Sequence, residues 1–133
     1  MFTIDLIFLG EPPPKDSYSS MTIDQVYGCL SWEADLTIVY DNQILFSEEV
    51  AIVEFYWYLV NWYRKYLAGN RKAFAYFSIE STEPVLFFSP QEELHWTIDS
   101  IWKKCSKPAV VKEKLLCSEV RKLLEKIIAT IEI

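Results

Sequence analysis

The chain has 133 residues, of which 51% are hydrophobic and 24% charged, and its formal net charge is -6. That length suits one domain with one core, so a single domain over residues 1–133 is expected. The acidic balance argues against direct nucleic-acid binding, and only three glycines occur, too few for a phosphate-cradling loop. The longest apolar stretch, residues 50–63, is interrupted by Glu54 and Asn61 and falls short of the roughly 20 residues that span a bilayer.

In chain order, Phe2, Ile4, Leu6 and Phe8 alternate with Thr3 and Asp5, the period of a strand. No basic region precedes them, so they read as a strand rather than a signal peptide. Pro12 to Pro14 and the polar residues around them predict an exposed loop. Trp32, Ala34, Leu36, Ile38 and Tyr40 point one way, and Glu33, Asp35 and Thr37 the other. Asp41-Asn42 supplies a turn and residues 44–46 return, which makes a hairpin. Ser47 then resembles a helix N-cap, with Glu48 and Glu49 at the positive end of the dipole. Ile52, Phe55, Tyr56, Leu59, Trp62, Tyr63 and Tyr66 recur at helical spacing, and Gly69 suits the helix stop.

Three short strands follow, at residues 73–79 and 85–88 and along the face Leu94, Trp96, Ile98, Ser100 and Trp102. Residues 109–116 read either as a last short strand or as an extension of the helix that follows. Ser118 is expected to cap a C-terminal helix with the stripe Val120, Leu123, Leu124, Ile127 and Ile131, and Arg121, Lys122, Glu125 and Lys126 facing water. The predicted fold is α+β, with a mostly antiparallel sheet of about six strands packed against a central aromatic helix and a C-terminal helix.

Charge is unevenly spread. Residues 1–62 hold ten acids and one base, and the remainder nine acids and twelve bases. An acidic first half either keeps the surface solvated or steers a basic partner. The chemistry-bearing residues are sparse. Cys29, Cys105 and Cys117 are odd in number and form no CxxC pair. This implies a reducing, cytoplasmic setting and no cysteine-rich zinc site. His95 is the single histidine, so acid–base or metal chemistry would rest on one imidazole. A cysteine thiol meeting it in space would make a nucleophilic pair, but nothing in the local sequence favours any of the three. Ser100, on an apolar strand face, reads as a small packing residue rather than a nucleophile. Glu33 and Asp35, two apart on a strand, share a face, a spacing that suits glycosidase or metal chemistry and is equally that of a solvated strand face. Glu54 interrupts an apolar run, either as a buried acid or on a wet strip with Tyr58, Asn61 and Lys65. Trp32, Tyr40, Trp62, Trp96 and Trp102 read chiefly as core, and Trp57 lies off the main stripe. No catalytic, metal or cofactor residues are assigned.

The order of parts is the most specific feature. A hairpin with an acidic face leads into a helix carrying Val53-Glu54-Phe55, Leu59 and Trp62. Phe74-x-Tyr76 follows, then Glu83-Pro84-Val85, Trp96-x-Ile98-x-Ser100-x-Trp102 and a capped helix. This layout, over roughly residues 32–130, resembles small acidic bacterial proteins encoded beside secreted toxins. Such proteins often serve as immunity proteins in polymorphic-toxin or contact-dependent inhibition systems. The resemblance implies tight stoichiometric binding of a monomer or weak dimer to a cognate toxin domain, many of which are nucleases with basic clefts. The residues expected to carry it are Glu33, Asp35, Asp41, Glu48 and Glu49. The alternatives are a general protein-interaction or regulatory module, and a small-molecule binder with an aromatic pocket.

Overall fold

Strand β1 (Phe2–Leu9) runs antiparallel to β2 (Glu33–Tyr40), which runs antiparallel to β3 (Gln43–Ala51). Helix α1 (Ile52–Leu67) follows without a loop. A second antiparallel sheet then forms from β4 (Phe74–Tyr76), β5 (Leu86–Pro90), β6 (His95–Asp99) and β7 (Ala109–Lys112), in chain order. Helix α2 (Glu113–Ile131) ends the fold. The computed structural model describes residues 1–10, 32–77 and 83–131. The predicted proline loop, Cys29 and the far end of the 73–79 strand lie outside the described residues. The α+β class is as expected, but the described strands form two sheets of three and four, not one of about six. Alternation reveals that a segment is a strand and is silent on which strand it pairs with.

The β2–β3 hairpin turns on Asp41 and Asn42, with φ of 50° and 65°. Positive φ at both central residues is the geometry whose twist matches the flanking strands, and Asn and Asp tolerate it. Ala34, Leu36 and Ile38 are buried on one face of β2 and Glu33 is exposed on the other. A bulge leaves Leu45 unpaired between Ile44, opposite Val39, and Phe46, opposite Ile38. It lets both Leu45 and Phe46 point into the core.

Ser47, Glu48 and Glu49 belong to β3, not to the cap and first turn of α1. Cross-strand pairing with Thr37, Leu36 and Asp35 overrides their local helix-start signal. The helix begins at Ile52 behind Ala51, which makes no side-chain cap bond. Instead the Ile52 N–H donates to the Trp32 carbonyl at 3.0 Å. The helix ends as expected, with Gly69 at φ 96° just past the cap. Helix α2 starts five residues before Ser118, which therefore sits inside it.

Both sheets and both helices share one contiguous cluster of buried side chains. Within it Trp62 lies edge-on to Phe74, Phe88 and Trp96 at centroid distances of 5.5–5.9 Å. Its indole N–H donates to the Lys72 carbonyl at 2.8 Å. Such edge-to-face pairs add roughly 0.5–1.5 kcal/mol each beyond burial. Helix α2 also seals the open edge of β1. Glu119, only 7% exposed, accepts the Ile4 backbone N–H at 3.2 Å. Lys126 donates to the Leu6 carbonyl and approaches Asp5 at 3.4 Å. Edge groups satisfied in this way cannot template a further strand.

Candidate functional site

The other edge of that sheet, β3, borders a groove of about 630 Å³. Antiparallel partners lie on the same face of a sheet, which sorts its acids. Glu49 lies directly across from Asp35 on the outer face, with Glu33 one step diagonal. Glu48 lies across from Leu36, so it points to the opposite face of the same strand. Its carboxylate pairs with Lys104 at 2.9 Å. The Lys104 N–H also donates to the Leu45 carbonyl of β3 at 2.8 Å. From the first turn of α1, Glu54 completes the lining and accepts the Tyr76 hydroxyl at 3.2 Å. Burial, then the Glu54 charge beside it, pushes the Tyr76 phenol up, so it remains a donor.

Five carboxylates therefore converge on one groove around the β3 edge. Among the described residues, Glu33, Asp35 and Glu49 form no ion pair with a lysine or arginine. A hydrogen bond with Glu33, and then its charge, raises the Glu49 carboxyl above its ordinary value. Slight desolvation and the charges of Asp35 and Glu48 act in the same direction. Like charges held together in this way are what a cation would relieve.

Aromatic groups flank the carboxylates. Trp102 lines the groove and is 39% exposed. Tyr76 meets Tyr58 edge-on at 5.4 Å, and Tyr58 meets Trp57 at 5.7 Å. Trp57, as its off-stripe position suggested, is 63% exposed.

Of the five residues expected to bind a partner, the structure brings Glu33, Asp35, Glu48 and Glu49 to the groove. Asp41 is elsewhere, in the hairpin turn, 3.2 Å from the Met1 amino group. Sequence reasoning did not assign Glu54, Tyr76 or Trp102 to this site. The one available signal was Glu54 itself, a carboxylate in an otherwise apolar run. It is half-buried, as are Tyr58 and Asn61 along the same helix strip to the exposed Lys65, and its carboxylate turns to the Tyr76 hydroxyl.

His95 and Cys117 both line a second cavity. Burial raises the Cys117 thiol; a hydrogen bond with Tyr66 opposes this, and the Glu113 charge adds to it. The sulfur is thus held as a thiol, the poorer nucleophile. Ser100 is buried and bonded, its hydroxyl donating to the Val85 carbonyl and accepting the Trp102 N–H at 2.9 Å. No group of three or more His, Cys, Asp or Glu among the described residues has the arrangement of a metal site. None of the described helices is long and apolar enough to cross a membrane.

Among the described residues these features define an α+β arrangement of two antiparallel sheets and two helices with an acidic groove at one sheet edge. The chain belongs to the family described as a domain of unknown function (DUF7878), whose model matches residues 8–132. No curated protein and no solved structure matches it.

Proposed function

We propose that this protein is a non-catalytic binder that captures a basic protein domain, one to one, in the acidic groove along β3. A toxin domain whose own cleft binds phosphate backbones has the required chemistry and is the partner this reading takes. The carrying observation is the convergence of Glu33, Asp35 and Glu49 on one face with no basic counter-ion among the described residues. A basic cleft would supply those counter-ions, gain long-range steering, and be occluded from nucleic acid. Trp102 supplies an apolar anchor beside the charged contacts.

The test is capture of partners by the tagged protein from its native lysate at moderate salt, with mass spectrometry of the bound fraction. A toxin-like domain recovered at equal stoichiometry, and lost with Glu33→Lys/Glu49→Lys, supports the reading. A partner from unrelated cellular machinery would replace the toxin reading with a general interaction module. Unchanged capture by the charge-reversal variant would remove the groove from the interface.

A further inference from the structure

The second cavity, of about 640 Å³, lies at the opposite end of α1 from Glu54 and has the opposite charge character. One wall is aromatic. Tyr63 and Tyr66 come from the last turns of α1, their rings stacked at 6.3 Å and 20°. Tyr66 in turn stacks on Trp62 at 5.9 Å and 19°, and Trp62 is held by its bond to Lys72. The wall is therefore an extension of the core and does not have to be ordered when a ligand arrives.

The facing wall is cationic. His95 and Lys112 sit opposite each other where β6 and β7 pair. Lys114 and Arg121 reach the cavity from α2. Lys112 and Lys114 have no acidic partner among the described residues, and the ion pair of Arg121 is an exposed 4.0 Å contact with Glu125. Of the two acids in the lining, Glu113 is already engaged: Arg71 donates to it at 2.7 Å and Trp96 at 2.9 Å. Glu93 is at the exposed rim. In a chain of net charge -6, this cavity holds three lysine and arginine cations beside two tyrosine rings.

We propose that this cavity binds a small phosphate ester of a planar ring. The ring lies against Tyr63 and Tyr66, and the phosphate is held between Lys112, Lys114 and Arg121. Arginine's planar fork matches phosphate oxygens, and the lysines add point charge. Stacking on tyrosine selects for the ring. The site is independent of the acidic groove, which lies around β3 and the other end of α1.

Titration calorimetry and thermal unfolding of the full chain test this with three probes: phenyl phosphate, inorganic phosphate and phenol. Phenyl phosphate should bind and raise the melting temperature by mass action. Inorganic phosphate and phenol should each bind about tenfold more weakly, since each lacks one half of the recognition. Lys112→Ala/Lys114→Ala should weaken phenyl phosphate by about tenfold. Both lysines are exposed, so this variant should melt like the parent without ligand and still capture the basic partner. Tyr63→Leu should abolish the preference for phenyl phosphate over inorganic phosphate. The proposal is overturned if no probe binds at millimolar concentration. Equal binding of phenyl phosphate and inorganic phosphate also overturns it, as does insensitivity to the lysine substitutions.

Discussion

The carboxylates of α2 and those of the β2–β3 hairpin have opposite surroundings. Glu113 accepts bonds from Arg71 and Trp96, and Glu119 accepts from the Ile4 backbone and from Lys122 at 3.2 Å. Each is largely buried and locally compensated. Glu33, Asp35 and Glu49 instead have one another as charged neighbours. The pKa directions follow. Burial acts to raise the Glu113 carboxyl, but the bonds from Trp96 and Arg71 outweigh it and hold the group below its ordinary value. The Glu49 carboxyl is raised. A carboxylate whose partners lie within the fold serves the fold. One whose neighbours repel it adds nothing to folding at neutral pH and is available to an external cation.

The largest effect should come from reversing the uncompensated set. Glu33→Lys/Glu49→Lys should weaken capture of the basic partner on the order of a thousandfold, since like-charge juxtaposition costs several kcal/mol. Stopped-flow association should become slower and lose its salt dependence, while the melting temperature holds. A parallel fall in stability would show that these acids serve the fold after all.

Next is the compensated pair. Glu113→Ala strands the Arg71 and Trp96 donors and should cost about 2 kcal/mol in urea unfolding. Because its folded pKa is lowered, the charge of Glu113 contributes stability above its unfolded pKa. That contribution is lost as pH falls through the folded value. The deficit of Glu113→Gln should therefore shrink in acid. Glu119→Ala should cost about 1 kcal/mol by leaving the Ile4 N–H unsatisfied. The Ile4 amide should then exchange with solvent faster than its neighbours on β1.

The smallest effect belongs to Glu49→Gln. A raised folded pKa means that wild type gains stability as pH falls toward that value, and is penalised above it. The variant should be slightly more stable than wild type at neutral pH and lose that advantage in acid. Partner binding by wild type should release protons near the Glu49 pKa, so its affinity should rise with pH there. A pH-independent affinity would separate Glu49 from the interface.

Much of the candidate site was legible along the chain. The two-residue period of β2 placed Glu33 and Asp35 on a wet face and Leu36 and Ile38 inside, because a pleated strand sends alternate side chains to opposite sides. The 3.6-residue period of α1 marked Ile52, Phe55, Leu59 and Trp62 as core, and Trp57 as exposed. Ser47-Glu48-Glu49 misled, since the residues that favour a helix start also occur in a solvated edge strand, and long-range pairing decided between them. Glu119 is a buried anchor for β1, a contact 115 residues apart in sequence that no local pattern encodes.

Periodicity, composition and turn chemistry, all local, determined the class of the fold, most of its elements and the acidic bias of its first half. The tertiary structure alone decided that the strands form two sheets, that Glu48 and Glu49 flank opposite faces of one edge, and that Glu54, Tyr76 and Trp102 join them. Those facts depend on register and on packing between distant segments, and a one-residue change in register would exchange the faces on which every one of the strand acids lies.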